Sequence, residues 1–577
     1  MTAPETAIST AEKRDGLWMQ AASAWARQRL SDAWAGSPPH RMGLSSPRLK
    51  GFAAFPRDVR PVDPAAGKDL LDGLWTLAGE SIAVGKGGDP FDRASPTRGF
   101  AEALHGFAWL RDLLSTGEEG ARDGLKLIAD WRRLFGGWNR FSWSGEVLER
   151  RLFNLACGLG PLTERASEAE VEVLANLVVR QARRLLQTRD PAWRGAERAV
   201  VAALAAAALA GRPADRLLAR AAARLDRLLP ATVLPDGGHV SRSPEAGLEL
   251  LFDLLALDDA CRRRGVQMPE EAGRAIDRLG AGLKFFTLGD GALASFQGGE
   301  AVRAARVAAA RKALEPGLVQ SPAPPPQQAR HSGYVRLIGR RLEVMVDAGA
   351  PAPAPWSASA TAQVAAIEIL CAGERLITNS GWSLRAPEAQ PQRLSEAGST
   401  VSVGQASAGA PLSGWRARAL GPRLVGGARK VEVTRLVTAG GGVWLDLSED
   451  GWVDRFGLAH ERRLYLDLEG DELRGEDLFS PARDNPARVI AFAACFQLPP
   501  GAGATLARDG KSVLLKGVAD EAWWLRNDAH EARIEAAAHF RDGRRLTARR
   551  IVLAGHLRTD KGGRIRWKLS KVTPGAG

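Results

Sequence analysis

The stretch VQSPAPPPQQAR, residues 319–330, separates two different kinds of sequence. Its prolines lack backbone N–H groups and hold φ near one value, so the segment cannot continue a helix and tends toward an extended connector. A domain boundary is expected there, with a helical domain over 1–318 and a second domain over 331–577.

Upstream of the connector, apolar residues recur at helical spacing. Phe100 to Leu114 carries Leu104, Phe107, Ala108, Leu110 and Leu114, and further helices are expected at 121–136, 145–157, 163–187, 194–210, 213–229, 245–264 and 269–286. Glycine and proline punctuate them, as at Gly136-Gly137 and at 158–161 and 211–213. The spacing varies too much for a solenoid of fixed unit, whereas helical hairpins closing into an incomplete α/α toroid are allowed. Residues 1–44 read as an N-terminal extension. Within it, Leu17, Trp18, Ala21, Ala22, Trp25 and Leu30 give an amphipathic helix over 17–35, whose mixed charges favour docking on the protein over a membrane surface. From about residue 45 to 95 the sequence reads as loop-rich.

Downstream the period changes to alternation. YVRLIGRRLEVMVDAG, VAAIEILCAGERLITNSG, KVEVTRLVTAGGGVWLDLSE, RRLYLDLEGDELRGEDLF, ARVIAFAACFQL, GKSVLLKG and RRLTARRIVLAGHL all read as strands. Hairpin turns belong at 440–442, 469–472 and Asp509-Gly510, which favours an antiparallel β-sandwich over βαβ units.

Composition bounds the rest. A chain of 577 residues with 45% hydrophobic and 25% charged content is globular and long enough for at least two domains. Cys157, Cys261, Cys371 and Cys495 lie far apart without CxxC spacing, so buried thiols are expected and neither a zinc ribbon nor a disulfide framework. A formal charge of +13 suits an acidic polymer, yet the arginines are spread through every segment. Nucleic-acid binding would rest on charge alone, and no specific nucleic-acid partner is expected. No apolar run reaches about eighteen residues, so no membrane span is read, and the N-terminus shows no apolar signal region.

The segment LPDGGHVSRSPEAGLELLFDLLALDDACRRR, residues 234–264, joins a polar turn to a leucine-rich helix. Asp236-Gly237-Gly238 supplies a turn, His239, Ser241 and Arg242 follow, and Ser243-Pro244 opens the helix. Three polar side chains therefore cluster at a helix entrance, anchored by Leu248, Leu250, Leu251, Leu254, Leu255 and Leu257. On spacing alone this is a capped helix with a solvated arginine or a held functional turn.

The Gly-Gly-His-x-Ser-Arg-x-Pro pattern resembles a segment of the heparinase II/III-like family of the polysaccharide lyase class. Further likenesses are residues 104–110 (LHGFAWL), 289–294 (GDGALA), 460–466 (HERRLYL) and 473–477 (LRGED), in the family's order over nearly the whole chain. The resemblance implies an incomplete α/α toroid followed by an antiparallel β-sandwich, and β-elimination on a uronic acid in the cleft between them. In that reaction a cation or amide quietens the carboxylate, a base removes the C5 proton and an acid protonates O4. It places His239 as base or carboxylate partner, Arg242 as an anion contact, and His105 and Asn154 along the toroid cleft. Trp138, Trp143, Trp382 and Trp452 are candidates to stack on sugar faces, and His460 is a cleft or strand-edge residue. Packing readings stand beside these for His105, among Phe107 and Trp109, and for Asn154 on an apolar helix.

The chain departs from the family's pattern twice. Thr361 stands where relatives carry the histidine of His-Ala-Gly, and Gly398 where a second pattern carries another. Only Tyr334 and Tyr465 exist, both outside the helices, and the eight histidines are scattered, so neither a metal site nor a cofactor is expected. The expected function is a lyase-like protein acting on an acidic, uronic-acid-containing glycan. The rival is a catalytically silent glycan-binding or envelope-assembly protein. Family resemblance implies the periplasm or envelope, and the absence of a visible signal leaves the cytoplasm open.

Overall fold

The computed structural model describes residues 16–189, 191–314, 326–517 and 521–572. Residues 1–15 of the N-terminal extension and 315–325, most of the proline-rich connector, lie outside the described residues. Apart from one short hairpin, the elements up to Ala313 are helical, and from Gln328 onward they are mostly strands, with short helices at Gly414–Leu420 and Val453–Phe456.

The helical half is α1 (Leu17–Gly36), α2 (Pro38–Ser45), α3 (Pro64–Leu71), α4 (Arg98–His105), α5 (Leu110–Leu114), α6 (Glu118–Phe135), α7 (Gly145–Thr163), α8 (Glu168–Gln187), α9 (Gly195–Ala208), α10 (Arg212–Thr232), α11 (Pro244–Arg264), α12 (Glu270–Phe286) and α13 (Ala304–Ala313). Its hub is α9, GAERAVVAALAAAA, buried from Ala196 to Ala208. Alanine has no side chain beyond Cβ, so α7, α8, α10 and α11 approach it closely. Two readings are amended here. The helix expected over 100–114 is broken into α4 and α5 at Phe107, which takes φ 55°. The stretch read as loop-rich also holds α3 and a hairpin of Leu74–Leu77 with Glu80–Ala83, elements too short to show a period.

The second half is antiparallel throughout its ladders. A five-stranded sheet runs in chain order from Gln328–Ala329 through Tyr334–Ile338, Leu342–Asp347 and Ile367–Cys371 to Glu374–Ile377. An eight-stranded sheet begins at Val431–Ala439 and ends at Gly503–Leu506, and a four-stranded sheet centres on Arg544–Arg558 and Val489–Gln497. The expected turns at 440–442, 469–472 and 509–510 join paired strands. Strands Glu531–Arg541 and Gly563–Lys571 carry charge on alternate positions and were not expected.

The five-stranded sheet is buried on both faces, and that positions the site. Tyr334, Met345, Ala366 and Leu370 join the helical core, while Val335, Leu337, Val344 and Ile369 join the core of the sandwich. Alternate residues point to opposite faces of a strand, so one sheet serves two cores. Helix α1 docks on the protein through small residues rather than through the apolar face read for it: Ala21 is buried against Leu412 and Leu420, while Trp18, Ala22, Trp25 and Leu30 of that face are exposed, as is Trp34.

Candidate functional site

Gly237 takes φ 82° in the turn before α11, and a Cβ there would lie 2.0 Å from the Arg278 carbonyl, so only glycine fits. Asp236 holds the turn to the second half by accepting from the Ser332 N–H at 2.7 Å. His239 follows at 4% exposure. The Ser241 N–H donates to its Nδ1 at 3.1 Å, with the Ser241 hydroxyl 2.7 Å from the same atom. That assigns the ring proton to Nε2, which faces Glu197 Oε1 at 3.5 Å. Burial raises the Glu197 pKa, but Arg194 and then His239 outweigh it and hold the carboxyl down at about 2.

Arg242, at φ 66°, commits every guanidinium donor. Nε donates to the Ser332 carbonyl at 2.7 Å, Nη1 to those of Gly349 and Ala350 at 2.8 and 2.9 Å, and Nη2 to that of Gly333 at 2.9 Å and to Asp347. The guanidinium also lies 4.9 Å from the centre of the Tyr334 ring, and Tyr334 Oη donates to the Arg242 carbonyl at 2.6 Å. The expected anion contact is thus a clasp between the halves, with no donor left for a substrate carboxylate.

His105 and Asn154 are brought together elsewhere. Asn154 Nδ2 donates to the Gly106 carbonyl at 2.8 Å, and the Trp131 indole N–H donates to His105 Nδ1 at 3.1 Å. Phe135, Phe141 and Phe91 surround the imidazole. Burial, with Arg151 nearby, pushes its pKa down to about 4. His460 is a core residue rather than an edge one, between Glu449 Oε1 at 3.2 Å and Asp477 Oδ1 at 3.1 Å. Burial would lower its pKa, but those two hydrogen bonds raise it. Trp143, Trp382 and Trp452 are each 2% exposed, so none offers a face to a sugar. Trp143 and Trp382 donate their indole N–H groups to the Phe135 and Ala386 carbonyls. Trp138 is half-buried on the helical core.

The two positions where the family resemblance implies histidines are occupied otherwise. Thr361 is 3% exposed, its N–H donating to Gln297 Oε1 at 3.2 Å. A Cβ on Gly398 would lie 2.7 Å from Gln363 Cγ, so the Gln363 side chain occupies the space a histidine would need. Gln363 is itself fixed by donating to the Gln392 and Leu394 carbonyls at 2.9 and 3.2 Å.

Motif reading also missed a network of ion pairs that joins several helices to Arg385 of the second half. Arg194 grips Glu149 with two donors at 2.5 and 3.0 Å, Arg150 bridges Glu149 and Asp253, and Arg60 joins Asp253 at 2.7 Å to Glu249 at 3.0 Å. Arg306 pairs with Glu249, and Arg385 with Glu245 and, at 3.4 Å, with Glu300. Burial, opposed by Arg385 and reinforced by Glu300 and Glu249, pushes the Glu245 carboxyl up to about 7. One signal was legible: Asp253 interrupts the leucine face of α11, and a charge in such a face must be paired. Among the described residues, no group of three or more His, Cys, Asp or Glu side chains could hold a metal ion, and no helix is long and apolar enough to cross a membrane.

Comparison with known proteins agrees with this architecture. Residues 321–568 match the family described as heparinase II/III-like, C-terminal. FtsZ-localized protein C of Caulobacter vibrioides (strain NA1000 / CB15N) is 51% identical over 568 residues, 97% of each chain. Among solved structures, heparinase III superposes with a TM-score of 0.66 at 14% identity, covering 89% of this chain and 85% of the other. A mutant of heparan sulfate lyase HepC from Pedobacter heparinus gives 0.55 at 12% identity, covering 92% and 87%. At such identities the solved structures speak for the fold alone: an α/α toroid with a β-sandwich.

Proposed function

The chain belongs to the heparinase II/III-like family, which it shares with FtsZ-localized protein C, and on that premise we propose that it works by binding rather than by β-elimination. The observation that carries this is the filled pair of positions, buried Thr361 and a Gly398 closed over by Gln363. Elimination needs a base within reach of C5 and a free cation or amide for the carboxylate. Arg242 has no free donor and serves the seam instead, and His239 is buried at 4% exposure with Ser241 on Nδ1 and Glu197 3.5 Å from Nε2. The relative's name sets it with FtsZ, and at 51% identity across nearly the full length this chain takes the same station, as an assembly protein on a lyase-like scaffold. Two measurements test this. Incubation with a panel of uronate-containing polysaccharides should yield no ultraviolet absorbance from an unsaturated product, and a fluorescent fusion should co-localise with FtsZ. Product from any member of the panel, or a fusion indifferent to FtsZ, overturns it.

One observation favours a second reading as a lyase on an acidic glycan with a replaced base. Glu245, held up at about 7, pairs with Arg385, whose side chain is 33% exposed. A carboxyl that ionises near neutrality beside a reachable guanidinium suits proton abstraction. If product does form, Glu245→Gln should abolish it, and retained turnover in that variant removes this reading.

A further inference from the structure

Helix α10 carries a charge pattern that its own stability does not call for. Ala214, Leu217, Ala221, Leu225 and Leu229 are buried, while Arg212, Arg216, Arg220 and Arg224 recur every fourth residue along another face. Like charges four apart repel on a helix. The rise per residue sets neighbouring arginines about 6 Å apart and the row about 18 Å long. The helix also carries Asp215 and Asp226, but Asp215 is taken by Arg264 at 2.6 Å.

Three of the four arginines line a cleft between α10 and α8, of about 480 Å³, where Arg183 joins them from the α8 side and no carboxylate contributes to the lining. The two half-buried members are anchored. Arg183 donates to the Leu44 and Pro47 carbonyls at 2.9 and 3.0 Å, and Arg224 to the Leu186 carbonyl at 2.5 Å with its buried Nε left without a partner. Arg216 and Arg220 are exposed and make no ion pair or hydrogen bond among the described residues. Leu186 and Leu217 give the cleft an apolar wall. Four guanidiniums held close together without a counter-charge form a surface that an anion would complete.

We propose that this cleft takes an extended acidic segment of a partner protein, with carboxylates on alternate residues and apolar side chains between them. In an extended chain, alternate residues lie about 6.6 Å apart, close to the spacing of the arginine row. The apolar wall gives the intervening side chains a surface that a phosphate backbone has no use for. No aromatic ring lines the cleft, so base stacking has no platform. Arg183 and Arg224 are recessed, which suits a strand entering a groove better than a flat anionic bilayer. The inference stands apart from whether the seam between the halves catalyses anything.

The test is fluorescence anisotropy with the full chain and a labelled peptide of alternating Glu and Leu. Binding is expected, and Arg216→Ala with Arg220→Ala should weaken it on the order of tenfold. Both side chains are exposed and repel their neighbours on the helix, so the melting temperature should not fall. Replacing Arg340 and Arg508, exposed arginines of the second half, removes the same charge and should leave the affinity alone. Failure to bind, or equal loss in both double variants, overturns the proposal. So does tighter binding of labelled duplex DNA or phosphatidylglycerol vesicles that depends on Arg216 and Arg220.

Discussion

A single guanidinium, that of Arg242, carries much of the contact between the halves, because its donors reach four carbonyls and one carboxylate that lie on the other side of the seam. Replacing it with methionine leaves Asp347 buried without its cation, at a cost of about 3–5 kcal/mol, readable as a lowered denaturation midpoint. Lysine should rescue little, since an ammonium cannot present five donors in a planar fork. A residue-scale pH effect follows from His105. Its folded pKa of about 4 lies below the ordinary histidine value of 6.5, so the neutral ring contributes stability that is full above the unfolded value and is lost as pH falls through the window between them. His105→Gln keeps an acceptor for the Trp131 indole and should flatten that part of the stability-against-pH curve; an unchanged slope refutes the assignment. His460 has the opposite sign, its raised pKa giving stability present at low pH and lost as pH climbs through the folded value. Gly398→His should destabilise the fold without creating activity, because the imidazole would have to displace Gln363.

Among the elements, α8 begins with a reciprocal cap: Ser167 Oγ accepts from the Glu170 N–H, and Glu170 accepts from the Ser167 N–H at 2.8 Å. Ser167→Ala should lower the stability of the chain by about 1 kcal/mol in urea titration. Those bonds from Ser167 lower the Glu170 pKa, so this contribution is present above the unfolded value and fades as pH falls through the folded one. On α10 stability and binding should part company. Arg216→Glu would meet arginines four residues away on both sides and raise the melting temperature slightly, while abolishing capture of an acidic peptide. Helices of three turns or more were legible in the sequence because their apolar period repeats often enough to be counted. The hairpin at 74–83 and the break at Phe107 were not, being set by packing on neighbours rather than by any period.

At the scale of the whole molecule, the five-stranded sheet makes the two halves one folding problem. Tyr334, Met345, Ala366 and Leu370 belong to the helical core although they lie beyond the connector. Expressed alone, residues 331–577 should therefore expose an apolar sheet face and aggregate or bind a hydrophobic dye, and a soluble, dye-negative fragment would contradict the shared core.

The order of helices and strands, and the turns between the strands of the sandwich, were determined by the sequence itself, since period, proline and glycine act over a few residues. Thr361 and Gly398, standing where the family resemblance implies histidines, were also legible. Whether His239 and Arg242 were free to meet a substrate was decided only by the tertiary structure. Apart from Ser241, the atoms that meet them sit at Glu197, Ser332 and Asp347, far along the chain, and a side chain's availability depends on which partners the fold delivers to it.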